Sequence, residues 1–152
     1  MNRTIARTFL PLLLLAILGV GACSSEAWEE LPSSIATFIS QYFPGSGVKS
    51  YNETDNGCIV KVNNGATLKF DKENEWTEID GNGVRLPEVM MYDQLPPALF
   101  DFLQSTSQQG EVYAMSRDKK FYKLTMLDTV ITFNIQTGAI TYPGQAADPE
   151  TE

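Results

Sequence analysis

The chain contains no histidine. Histidine titrates nearest to neutral pH, which makes it the commonest general base and metal-binding side chain. Without it, neither a Ser-His-Asp nor a Cys-His catalytic arrangement can be built, and a histidine-held zinc site is excluded. Cysteine is nearly as scarce: Cys23 and Cys58 are too few for a disulfide-stapled scaffold. Positive charge is the third shortage. All nineteen acidic residues follow position 22, whereas Arg3 and Arg7 precede it. From residue 23 onward nine basic groups face nineteen acidic ones, a formal charge of −10. Such a chain repels nucleic acid and anionic lipid, and leaves basic or neutral partners open. Long apolar runs are missing too. The longest, Phe9 to Val20, is about a dozen residues, short of the roughly 20 that a membrane-crossing helix needs.

That short run, preceded by two arginines, has the form of a signal peptide over residues 1–22. It ends Leu18-Gly19-Val20-Gly21-Ala22-Cys23-Ser24, which resembles a bacterial lipobox: a branched apolar residue, small residues, then cysteine. The resemblance implies that Cys23 is the mature N-terminus and carries acyl chains anchoring the protein to a membrane. Stable anchoring needs more than one chain. It also implies a Gram-negative envelope, and Ser24 after the cysteine resembles outer-membrane cargo. Ordinary cleavage after Ala22 is the alternative, leaving Cys23 a plain thiol free to pair with Cys58. Cys58 itself lies in the strand-like stretch Cys58-Ile59-Val60-Lys61-Val62, with nothing nearby to stabilise a thiolate, and is expected to be a buried structural thiol.

After the acidic linker of residues 23–30, the chain says one thing twice. Leu31-Pro32-Ser33-Ser34-Ile35 returns as Leu95-Pro96-Pro97-Ala98-Leu99. In the first copy proline and the two serines open a helix, and Ile35, Phe38, Ile39 and Tyr42 form its apolar stripe. Pro44-Gly45 stops it. Strand-like segments follow: Val48 to Tyr51, Cys58 to Val62, Ala66 to Phe70, and Trp76 to Ile79, with turns at Asp55-Asn56-Gly57 and Asn63-Asn64-Gly65. In the second copy Leu99, Phe102 and Leu103 stand 64 positions after Ile35, Phe38 and Ile39. Strands are expected at Val112 to Met115, Phe121 to Leu127, Ile131 to Ile135 and Ala139 to Tyr142. The expected fold is therefore α+β, two tandem repeats, each an amphipathic helix packed on an antiparallel β-meander. Residues 31–83 form the first repeat, 84–94 a connector and 95–143 the second, while the acidic tail 144–152 reads as disordered. One unit of about 60 residues would be marginal alone.

Leu31-Pro32, Tyr42-Phe43-Pro44-Gly45 and Phe70-Asp71-Lys72-Glu73-Asn74-Glu75-Trp76 together resemble the PepSY-like, β-lactamase-inhibitor-like lipoproteins, over about Glu29 to Pro143. Asn74 stands where the family pattern favours glycine, and the second copy, Phe133-Asn134-Ile135-Gln136-Thr137-Gly138, lacks the tryptophan. The resemblance implies helix-plus-sheet units in a periplasmic or surface protein, binding a protein or peptide on the sheet. It carries no inhibitory residues onto this chain.

Other chemistry is weaker. Asp71, Glu73, Glu75, Glu78 and Asp80 form an acidic cluster, but Trp76 and Asn82 occupy the positions where a calcium loop needs glycine and glutamate. No cofactor or metal is expected. Paired carboxylates for glycoside hydrolysis would arise by chance among nineteen acids. Asp128-Thr129-Val130 resembles an O-glycosylation tripeptide, but a three-residue pattern is weak and a plain turn is the preferred reading. No nucleophile–base pair is present, so a non-enzymatic binding module is expected, with a carbohydrate-binding envelope lipoprotein as the alternative. Aromatic anchors dominate many interfaces. Tyr113 and Tyr122, taken as neighbours of the basic stretch Arg117 to Lys120, and Trp76 are the candidate partner contacts.

Overall fold

A computed structural model describes residues 26–143; the signal segment, Cys23 and the acidic tail lie outside them. The elements run α1 (Glu26–Glu29), α2 (Ser33–Tyr42), β1 (Val48–Thr54), β2 (Gly57–Val62), β3 (Thr67–Asp71) and β4 (Trp76–Asp80). There follow α3 (Glu88–Gln94), α4 (Pro97–Ser105), β5 (Ala114–Arg117), β6 (Phe121–Thr125), β7 (Val130–Asn134) and β8 (Ile140–Thr141). All eight strands join one antiparallel sheet in chain order, β4 pairing directly with β5 after the long helical connection. The fold is α+β. Among the described residues no helix is long and apolar enough to cross a membrane.

The sheet is organised by one transverse row. Val60, Leu68, Ile79, Met115, Leu124 and Ile131 are consecutive cross-strand partners from β2 to β7, and every one is completely buried. Ile35 and Ile39 of α2, Met90 and Met91 of α3, and Leu99 and Leu103 of α4 are fully buried in the same core. Because strand side chains alternate between faces, one face of the sheet is committed to the helices. The neighbouring row runs Ile59, Lys69, Glu78, Ser116, Lys123 and Thr132. It faces the other way, and none of its members is buried.

Turns are set by residues suited to them. Gly57 adopts φ +143°, and a Cβ there would collide with the backbone of Phe70 and Asp71, so the β1–β2 hairpin needs glycine. Asn74 takes φ +63° in the β3–β4 turn, the left-handed conformation that asparagine tolerates. In that turn Asp71 Oδ1 accepts from the amides of Glu73 and Glu75, at 3.0 and 2.9 Å.

Several local expectations differ from what is seen. Ser33 and Ser34 make no capping hydrogen bond; the residue ahead of α2 is Pro32, and α4 is preceded by Pro96, again uncapped. Proline supplies the preset φ, and the first amides are left without a side-chain acceptor. The acidic linker contains a single helical turn, α1, whose Ala27 and Trp28 pack against the core. The connector folds as α3, because Met90 and Met91 bury completely while Val84 and Val89 stay exposed. β5 begins at Ala114 rather than Val112 and ends at Arg117, so Arg117 belongs to a strand rather than a turn.

The two rows make opposite predictions for truncation. Ile79→Ala is expected to cost about 2–5 kcal/mol by opening a core cavity. Thr132→Ala, on the open row, should stay within about 0.5 kcal/mol of the parent. Urea denaturation followed by circular dichroism checks both.

Candidate binding surface

Two surfaces present chemistry: the open sheet face and a cluster at one end of β4–β6. Across the open face, Lys69 Nζ pairs with Glu78 Oε2 at 2.9 Å. Both side chains are about half exposed, so the pair contributes at most about 1 kcal/mol and mainly orders the surface. Beyond it lie Ser116, Lys123 and Thr132, which with Arg117, Asp118 and Phe121 line a shallow depression of about 270 Å³. Phe121 is 38% exposed and extends this face.

The end cluster forms around Arg117. Its guanidinium carbon lies 4.3 Å from the Trp76 ring centroid, while Nε donates to the Trp76 carbonyl at 2.7 Å and the terminal nitrogen to Glu75 Oε2 at 2.9 Å. Stacking and charge-assisted bonding together fix the side chain more firmly than an exposed ion pair would. Tyr122, the register partner of Arg117, meets Trp76 edge-on at 6.1 Å. The Trp76 indole N–H donates to Gln94 Oε1 at 2.8 Å. Gln94 in turn donates to the Tyr42 hydroxyl at 2.7 Å, and that hydroxyl donates to Asp93 at 3.1 Å. A continuous polar chain thus ties β4 to α3 and α2.

The structure brings Trp76 and Tyr122 together and leaves Tyr113 apart. Trp76 is only 2% exposed, although with Tyr122, Arg117, Asp118 and Lys119 it lines a depression of about 420 Å³. Strict alternation back from Ile79 would point Trp76 outward. A register shift between Lys69 and Phe70 places Trp76 opposite Phe70 on the core side. Tyr122 is half-buried on that same helix-covered side. Tyr113 precedes β5 at its other end, where its hydroxyl accepts from Arg85 Nε at 3.3 Å and Arg85 also pairs with Glu111 at 2.9 Å. It therefore neighbours Arg85, not the Arg117–Lys120 stretch. Arg117 itself was missed as a structural centre, because no local pattern links it to a tryptophan 41 positions earlier. Cys58 is 5% exposed and has no disulfide partner among the described residues. Burial, and then the Glu53 carboxylate, pushes its thiol pKa up. Among the described residues no group of three or more acidic or cysteine side chains is arranged to hold a metal ion.

The family model described as "Putative beta-lactamase-inhibitor-like, PepSY-like" matches residues 28–73 and 56–140. The chain belongs to the PepSY-like family. Three solved structures resemble it in fold. One, described as a "putative periplasmic protein" of the DUF2874 family from Bacteroides vulgatus, is 24% identical, with a TM-score of 0.62, covering 75% of this chain and 90% of that one. A "putative calcium-regulated periplasmic protein" from Bacteroides thetaiotaomicron is 23% identical, with a TM-score of 0.61, covering 75% and 92%. Another B. vulgatus periplasmic protein "of unknown function" is 21% identical, with a TM-score of 0.62, covering 77% and 96%. No curated protein matches the chain.

Two predictions follow from the titratable groups of this PepSY-like domain. Burial, reinforced by Asp93 and opposed by the Gln94 hydrogen bond, raises the Tyr42 pKa. The folded state therefore keeps the phenolic proton to higher pH than the unfolded chain. Its contribution is complete below the unfolded value of about 10 and is lost as pH climbs through the folded pKa. Urea midpoints should fall on that alkaline side, and less steeply in Tyr42→Phe. In the second, Cys58 should react with a thiol reagent far more slowly in the native protein than in urea, since a buried thiol yields little thiolate.

Proposed function

We propose that this PepSY-like protein is a non-enzymatic component of a bacterial cell envelope, held to a membrane by lipid on Cys23, which binds a protein or peptide on its open sheet face. The observation that carries this reading is the uncovered row from Ile59 to Thr132, with alternating charge at Lys69, Glu78 and Lys123. A rigid strand scaffold whose far side is fully packed can present such a row without a large ordering cost on binding. The envelope location draws on the signal-like N-terminus and on the periplasmic description of the three structural neighbours. The absence of histidine and of any nucleophile–base pair supports a role without turnover. A carbohydrate-stacking role has less support, because Trp76 is buried and Tyr122 lies on the helix side.

The domain is also read as an internal duplication. The order α2 then β1–β4 is followed by α4 then β5–β8, and the family model matches the chain twice.

Photo-crosslinking residues placed in living cells at Ser116 and Thr132, against a control at Ser40 on the exposed side of α2, test the binding reading. A discrete adduct from the open-face positions only is the expected result; adducts from all positions or none refute it. In parallel, a palmitate analogue should label the parent and not Cys23→Ala. Equal labelling, or none in either, removes the anchor.

A further inference from the structure

Positive charge is concentrated at one place in this acidic protein. Of the eleven basic residues, Arg3 and Arg7 precede position 22, and four of the other nine fall in one stretch, Arg117 to Lys123. The single acid in that stretch, Asp118, is occupied by the β5–β6 turn, where its Oδ1 accepts from the amides of Lys120 and Phe121 at 2.7 and 2.8 Å. Lys119, Lys120 and Lys123 are exposed, and none of them enters an ion pair among the described residues. On the open row, Ser116 and Thr132 are the direct cross-strand partners of Lys123 on either side, which sets their side chains about 5 Å from it. Among the described residues neither hydroxyl has a side-chain hydrogen bond. Glu78, the next residue along the row, is already held by Lys69 at 2.9 Å.

Three unengaged donors therefore stand side by side, and the space above them is open. With Arg117, Asp118 and Phe121 they line the depression of about 270 Å³. Helices α2, α3 and α4 bury against the opposite face, and α1 packs on β1, separated from β6 by four strands. Phe121 lies two residues before Lys123 on the same face and is 38% exposed, an apolar wall beside the ammonium. Hydroxyls and an ammonium that can all donate together suit a carboxylate, which only accepts. A long polyanion is disfavoured, because beyond this patch the formal charge of −10 repels it. We infer that Ser116, Lys123 and Thr132 hold an Asp or Glu carboxylate of an acidic peptide segment, an apolar neighbour of that residue resting against Phe121. Lys119 and Lys120 add attraction at the hairpin tip. The inference rests on the open-face binding reading and names the chemistry of the partner.

Amide chemical-shift mapping of the isotope-labelled chain with acetyl-Gly-Phe-Glu-Val-Glu-Gly-amide, and with its glutamine counterpart, tests this at low salt. Shifts are expected at Ser116, Phe121, Lys123 and Thr132, with binding that weakens as salt rises. The glutamine peptide should bind roughly fivefold or more weakly, the loss of about one exposed charge contact; this comparison needs no protein variant to fold. Lys123→Gln should weaken the acidic peptide comparably, whereas Lys49→Gln, the same charge change at the exposed start of β1, should not. No shift at these residues at millimolar peptide, equal binding of the two peptides, or equal effects of Lys123→Gln and Lys49→Gln overturns the inference. So does tighter binding at these residues of a single-stranded oligonucleotide or of anionic vesicles, which would assign the donors to phosphate. Crosslinking separates the inference from the broader reading. Adducts at Ser116 and Thr132 that persist at full yield in Lys123→Gln leave open-face binding standing and remove the acidic partner. Their absence in the parent chain removes the reading on which it rests.

Discussion

A single apolar row, Val60 to Ile131, runs across six strands with no solvent contact at any member. Burying such side chains contributes about 1.5–3 kcal/mol each relative to exposure, and the residues are shared between strands on either side of the β4–β5 junction. The row makes six short strands, β2 to β7, one body. It also dictates the opposite face, because a strand that sends every second side chain inward must send the rest outward. A slip of one residue in any register would expose the row and bury Lys69 or Lys123. The open face is therefore free for contact as a direct consequence of how the core is filled.

The Arg117 cluster shows a different economy. An exposed guanidinium–carboxylate pair contributes little, but Arg117 is 24% exposed in its side chain and its three contacts converge from β4, the β3–β4 turn and an indole face. It ties the end of β5 to β4 beyond their last paired residues, Glu78 and Ser116. Gln94, Tyr42 and Asp93 continue the polar chain onto α3 and α2, where it ends at the exposed Asp93 carboxylate. This end of the sheet is tied together by side chains, whereas β1 at the far edge pairs with β2 and packs against α1.

Much of the architecture was legible in the residues themselves. Alternation in Cys58-Ile59-Val60-Lys61-Val62 and in Ile131 to Ile135 marks strands with one apolar face. The stripes Ile35-Ile39 and Leu99-Leu103 mark the helices that cover it, and the asparagine- and glycine-rich turns mark the hairpins. Site residues were less legible. Trp76, Tyr113 and Tyr122 stood out as aromatics, yet only the bulge at Lys69 and Phe70 reveals which way Trp76 faces, and no local pattern announces a bulge. The connector hid a helix because Met90 and Met91 are adjacent in sequence, so their burial produces no clear helical spacing.

What the chain determined unaided is whatever depends on composition or on neighbours within a few positions: strand and helix periods, turn conformations at Gly57 and Asn74, the lack of histidine, and the acidic net charge. Tertiary structure alone decided that β4 meets β5, that Arg117 stacks on Trp76, and that β1 stands at the edge of the sheet. Those outcomes join residues tens of positions apart. Their energies come from a shared core and from the closing of a long connection, neither of which leaves a trace in any short stretch of sequence.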